Sequence, residues 1–188
     1  MKNRKDKNAE RRRSRNIING LIILGVVLVF LAIAVLFGQN TSPQQVALPQ
    51  IGKPFSEFSL TNLEGKPVHL SDYKGKTVLI NAWATWCPPC KAEMPDLNAY
   101  YLAHKDQGFV ILAINAGDPA PDAAAFASEK GLSFPVLLDP NSNLLTSLGI
   151  DSFPTSILIG TDGVVKVIHI GLFTPQAMAA ELTPNLPR

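Results

Sequence analysis

The sequence predicts an α/β fold, a mixed central sheet flanked by helices, preceded by one apolar helix at the N-terminus. Three observations lead there. An uncharged run fills residues 17–37; beyond residue 51, β-branched apolar runs alternate with helix-forming stretches; and the last two apolar runs are joined by Thr161-Asp162-Gly163, a hairpin turn. Apolar runs unbroken by polar residues mark strands covered on both faces, and helices between them supply the cover.

With 188 residues, 46% hydrophobic and 17% charged, the chain is too apolar and too weakly charged for disorder. Mean hydropathy is +0.14 with only 7% aromatics, which points to an added apolar segment rather than an aromatic-rich core. Two cysteines exclude a disulfide scaffold and cannot by themselves complete a four-ligand zinc site.

Residues 1–16 form a basic tail expected to stay in the cytoplasm. Of the 17 Lys/Arg and 15 Asp/Glu, eight basic and two acidic fall in residues 1–15, leaving nine basic against thirteen acidic in the body. A basic tail can bind nucleic acid, but an acidic body offers no second phosphate-binding face, so no nucleic-acid partner is expected. The 21 uncharged residues that follow span about 31 Å as a helix, the thickness of a hydrocarbon core. Ala32-Ile33-Ala34 resembles a signal-peptidase site, yet Val35, Leu36 and Phe37 prolong the apolar run, so an uncleaved anchor at 17–37 is expected. The basic flank orients it with the body across the membrane, outside the cytoplasm. Residues 38–50, polar and Pro-containing, read as a tether to a domain at 51–188.

Within that domain, residues 55–60 and 68–70 flank Asn62-Leu63-Glu64-Gly65 as a hairpin. A buried strand at 77–82 leads into Trp83-Ala84-Thr85-Trp86-Cys87-Pro88-Pro89-Cys90, and a helix follows over 91–104 with Pro95 inside it. Strands at 109–115 and 134–138 bracket a helix at 121–130, and 143–148 is a helical turn or two. Strands at 156–159 and 164–170 form the hairpin, and Thr174 N-caps a last helix with Pro175 at its first position.

Cys87 and Cys90 lie three apart where a strand gives way to a helix. Positions i and i+3 share a helix face, so the sulfurs can meet. Cys87 at the helix N-terminus, where free N–H groups favour a thiolate, is the expected nucleophile; Cys90, a turn deeper, is the expected resolving thiol. An inert disulfide closing so short a loop would stabilise little, and no second cysteine pair completes a zinc site. A redox-active disulfide is the expectation.

These residues resemble the thioredoxin superfamily, and within it the membrane-anchored thiol-disulfide oxidoreductases of the ResA/TlpA type. The resemblance is carried by Ile51-Gly52-Lys53-Pro54-Phe55, Gly65-Lys66-Pro67-Val68, the stretch from Asn81 to Pro95, Phe153-Pro154-Thr155 and Asp162-Gly163. It implies a thioredoxin-like fold with an N-terminal hairpin and an inserted helix near residues 122–130. It also implies that Pro154 is a cis-proline facing the disulfide, with Phe153 beside it to pair with a substrate chain. Trp86 and Pro88 are expected to line the substrate site, and Trp83 to pack in the core. Thioredoxin has a buried aspartate where this chain has Asn81, and an amide cannot take a proton. The resemblance points to Glu93 as the acidic group of the site, with Asn81 contributing to stability more than to thiol titration.

The function implied is a disulfide reductase that needs no cofactor or metal. It would act on a disulfide-bearing protein, apocytochrome c during cytochrome c maturation, and be re-reduced by a transmembrane thiol reductant. The alternatives are a thiol-based metallochaperone and a peroxiredoxin-like peroxidase. The two-residue cysteine spacing argues against copper delivery, for which His169 is the remaining candidate ligand; His69 and His104 read as ordinary surface histidines.

Overall fold

A run of seven strands forms one sheet in the computed structural model, which describes residues 48–187 and, before them, Leu21, Leu24, Gly25 and Leu28. The chain divides into two units, Met1–Gln45 and Val46–Arg188, and the sheet belongs to the second. The basic tail, most of the tether and all but four residues of the expected anchor lie outside the described residues; those four are helical. Among the described residues, no helix is long and apolar enough to cross a membrane.

The elements run β1 (Ser59–Asn62), β2 (Pro67–His69), β3 (Thr77–Trp83), α1 (Pro88–His104), β4 (Phe109–Ala116), α2 (Ala120–Glu129), β5 (Val136–Asp139), α3 (Asn143–Ser147), β6 (Thr155–Ile159), β7 (Val165–Ile170) and α4 (Pro175–Glu181). Sheet order is β2-β1-β5-β4-β3-β6-β7. Strands β3, β4 and β5 are parallel, and the other pairings are antiparallel. This is a thioredoxin-like α/β fold with an added hairpin at one edge.

The two most apolar runs take neighbouring places inside the sheet. Every residue of β3 and β4 is buried, as a strand covered on both faces requires. Leu79, Ile80, Phe109, Ile111, Leu112 and Ile114 are each at most 1% exposed. Each such side chain contributes roughly 1.5–3 kcal/mol by leaving water. Edge strand β7 is only half-buried, and its start is covered by residues 52–55: Gly52 N donates to Val165 O, Val165 N to Lys53 O and Phe55 N to Gly163 O.

That pairing explains one departure from the sequence reading. Residues 55–58 do not join the first strand, because Pro54 and Phe55 are spent on the β6–β7 hairpin; β1 begins only at Ser59. The hairpin turn itself is as expected, with Gly163 at φ 76° and Asp162 Oδ1 accepting from Val164 N. Helix α1 starts at Pro88 rather than residue 91, since a proline in the first turn lacks only an N–H that would have no helical partner anyway. Pro95 is exposed and the helix continues through it.

Candidate active site

The end of β3 and the start of α1 fix the two cysteines. Cys87 is the N-cap of α1, with its sulfur accepting from Cys90 N at 3.3 Å, and the two are joined as a disulfide of S–S distance 2.06 Å. Cys90 is fully buried and Cys87 is 3% exposed. Pro88 and Pro89, both exposed, leave the first two positions of the helix without N–H donors.

Pairing of β3 with β6 sets Ala82 against Thr155, so Pro154 enters the sheet at the end from which the Cys87 loop leaves. The Phe153–Pro154 bond is cis. The Phe153 ring meets Trp86 edge-on at 5.7 Å, and Trp86 is 62% exposed, an uncommon amount for so large an apolar side chain. Trp83 instead is buried against Phe126 at 5.0 Å, as core packing. Trp86, Phe153 and Pro154 are thus gathered beside the exit of the Cys87 loop.

Glu93 lies one turn beyond Cys90 on the same helix and is only 1% exposed. Its Oε1 accepts from Asn81 Nδ2 at 2.8 Å and its Oε2 from Phe173 N at 2.7 Å. Burial pushes this carboxyl above the ordinary value of 4.5, against the Phe173 amide, the Asn81 amide and the charge of His169, which favour the ionised form. A buried acid that two donors still hold is equipped to exchange a proton, and this one sits a helical turn from Cys90.

Asn81 is therefore more than a packing residue. Besides Glu93, its Nδ2 reaches Ser156 Oγ at 3.0 Å, while its Oδ1 is buried without a partner. Its amide touches the carboxylate, so beside the stability expected of it Asn81 also favours the ionised form of Glu93.

Asp118 was not legible as a site residue, because an Asp-Pro step after a strand reads only as a turn. Its carboxylate accepts from Thr85 N at 2.7 Å, Thr85 Oγ1 at 2.9 Å and Asn115 Nδ2 at 2.7 Å, which ties the loop before Cys87 to the end of β4. The histidines fall elsewhere than a metal site. Among the described residues, no cluster of three or more His, Cys, Asp or Glu could hold a metal. His69 ends β2 and His104 ends α1, while His169 bonds Glu181.

A disulfide at a helix N-cap in a thioredoxin-like fold, with an apolar rim and a buried acid behind it, defines a thiol-disulfide oxidoreductase. The comparisons agree. The Redoxin family profile matches residues 50–182. The thiol-disulfide oxidoreductase ResA of Geobacillus thermodenitrificans is 34% identical over 176 residues, 94% of this chain and 99% of that one. The ResA of Geobacillus kaustophilus is 39% identical over 137 residues, 73% of this chain and 79% of that one. The crystal structure of a thioredoxin-family thiol:disulfide interchange protein from Chlorobium tepidum superposes with TM-score 0.65 at 26% identity, covering 74% of this chain and 99% of that one. The chain belongs to the thioredoxin superfamily, among the ResA/TlpA-type thiol-disulfide oxidoreductases.

Proposed function

We propose that the protein is a single-pass, membrane-anchored disulfide reductase whose catalytic domain lies outside the cytoplasm, and that it keeps the CxxCH thiols of apocytochrome c reduced for haem attachment. The observation that carries the reductive reading is Glu93, buried one turn from Cys90 and held by two donors. The eight basic residues before an uncharged run at 17–37 support the anchor and its orientation. ResA-named relatives support the choice of chemistry.

In the reduced protein, the Cys87 thiolate attacks one sulfur of the substrate disulfide. That S–S bond breaks, the departing sulfur takes a proton from water, and a mixed disulfide to Cys87 remains. Cys90 then passes its proton to Glu93 and attacks the Cys87 sulfur; the second substrate sulfur leaves and is protonated at the expense of Glu93. Two electrons and two protons have moved to the substrate, and Cys87–Cys90 is left oxidised. A transmembrane thiol reductant returns them. Trp86, Pro88, Phe153 and Pro154 form the rim on which the substrate chain would lie.

The test mixes the reduced full chain with a disulfide-bonded CxxCH peptide and follows peptide thiols. The parent should reduce the peptide stoichiometrically, and Cys90→Ser should stop at a mixed disulfide through Cys87. Absence of both reduction and adduct, or tight metal retention without turnover, would replace this reading with a metallochaperone.

A further inference from the structure

His169 faces the buried acid from the far side of the sheet row. Asn81, Ser156 and His169 are register partners across β3, β6 and β7, so the three side chains share one face of the sheet. The Phe173 amide that holds Glu93 Oε2 belongs to the short connection from β7 to α4. His169 grips that connection at three points. Its Nε2 lies 3.3 Å from Leu172 O, its ring stacks on Phe173 with centroids 4.1 Å apart and planes 9° from parallel, and its Nδ1 lies 3.2 Å from both carboxylate oxygens of Glu181 on α4.

We propose that His169 is a positioning residue for Glu93: by clamping residues 172 and 173 between β7 and α4, it fixes the Phe173 N–H on the Glu93 carboxylate. The alternative, a plain edge contact of β7 with α4, would need no alignment of the histidine ring with the residue that donates to Glu93. The clamp explains that alignment. It also explains why Phe173 is fully buried although its neighbour Leu172 is 45% exposed.

The groups that bear on the titration are few. Glu93 is faced by His169 from β7, and it is bonded by Asn81 from β3 and the Phe173 amide. His169 is faced by Glu181 from α4 and by Glu93 from α1. Loss of the clamp withdraws donor and charge from ionised Glu93 together, so both effects move its midpoint upward.

This inference rests on Glu93 as the proton acceptor of the site, and the experiment separates the two. In the oxidised full chain the cysteines do not titrate, so the Glu93 carboxyl can be followed by carbon NMR, assigned by its loss in Glu93→Gln. His169→Phe keeps a stacking ring and removes both nitrogens; His169→Gln is the milder second variant. The expected result is a midpoint raised by roughly half a pH unit or more in both variants, with the acid limb of the peptide-reduction rate moving by the same amount. In the Glu93→Gln background, His169→Phe should leave the pH–rate profile unchanged. An unmoved Glu93 titration accompanied only by a lower Tm would overturn the proposal, as would an equal rate shift without Glu93. A moved titration with an unmoved rate would uphold the clamp and remove Glu93 from the reduction.

Discussion

Burial fixes the sign of the pH dependence at Glu93. Its carboxyl sits above the ordinary 4.5 in the folded protein, so the folded state holds this proton more tightly than the unfolded chain does. Stability from this group is therefore complete below about 4.5 and is lost as pH rises through the raised value. Glu93→Gln should abolish that loss. The Asn81 Oδ1, now without a partner, can turn to accept from the new amide, so the fold should persist. Removal of the nearby negative charge should also lower the Cys87 pKa, and removal of the base should slow disulfide reduction by roughly 10²-fold. Denaturation midpoints across the acid range, thiol titration and single-turnover rates together check this. Parallel stability curves and equal rates would return Glu93 to an inert role. Asn81→Ala should cost about 1–3 kcal/mol and shift the same titration, because it strips a donor from the carboxylate and leaves Ser156 unpaired.

At the scale of elements, the loop between β3 and α1 owes its shape to Asp118. Three donors converge on one carboxylate that is 8% exposed, so Asp118→Ala leaves Thr85 N and Asn115 Nδ2 without acceptors. It should cost about 1–3 kcal/mol by thermal denaturation and slow attack by Cys87 more than it alters the Glu93 titration, whereas Asp118→Asn retains one acceptor and should cost less. An Asp118→Ala variant as stable and as fast as the parent would show that the loop is held by other contacts. Most elements were legible because β3, β4 and the β6–β7 hairpin carry strong local patterns. Cys87 and Cys90 were legible from their spacing at a strand-to-helix step, and Glu93 was singled out through the resemblance carried by the same short stretch of chain. Contacts made across the sheet were not: Asp118 with Thr85 is 33 residues apart, Phe173 with Glu93 is 80, and nothing in the local sequence of either marks the pairing. Phe55 was read as strand for the same reason, since its partner Gly163 lies over a hundred positions away.

For the whole molecule, orientation and redox direction decide the function. If the basic tail holds the N-terminus inside, protease added to intact spheroplasts should release a fragment containing Cys87 and Cys90, and its protection would contradict the extracytoplasmic placement. Direction follows from the head of α1. Pro88 and Pro89 supply no N–H, leaving the Cys90 amide as the backbone donor on the Cys87 sulfur, and Glu93 places an acid rather than a cation one turn behind. A thiolate so weakly stabilised should favour the disulfide, and the prediction is a dithiol that acts as a reductant. The most direct test is the equilibrium reduction potential of Cys87–Cys90 in the full chain, read by thiol trapping in defined thiol–disulfide buffers. The value should lie nearer thioredoxin's, about −270 mV, and a value near that of the oxidant DsbA, about −120 mV, would contradict the account and make the protein a disulfide donor.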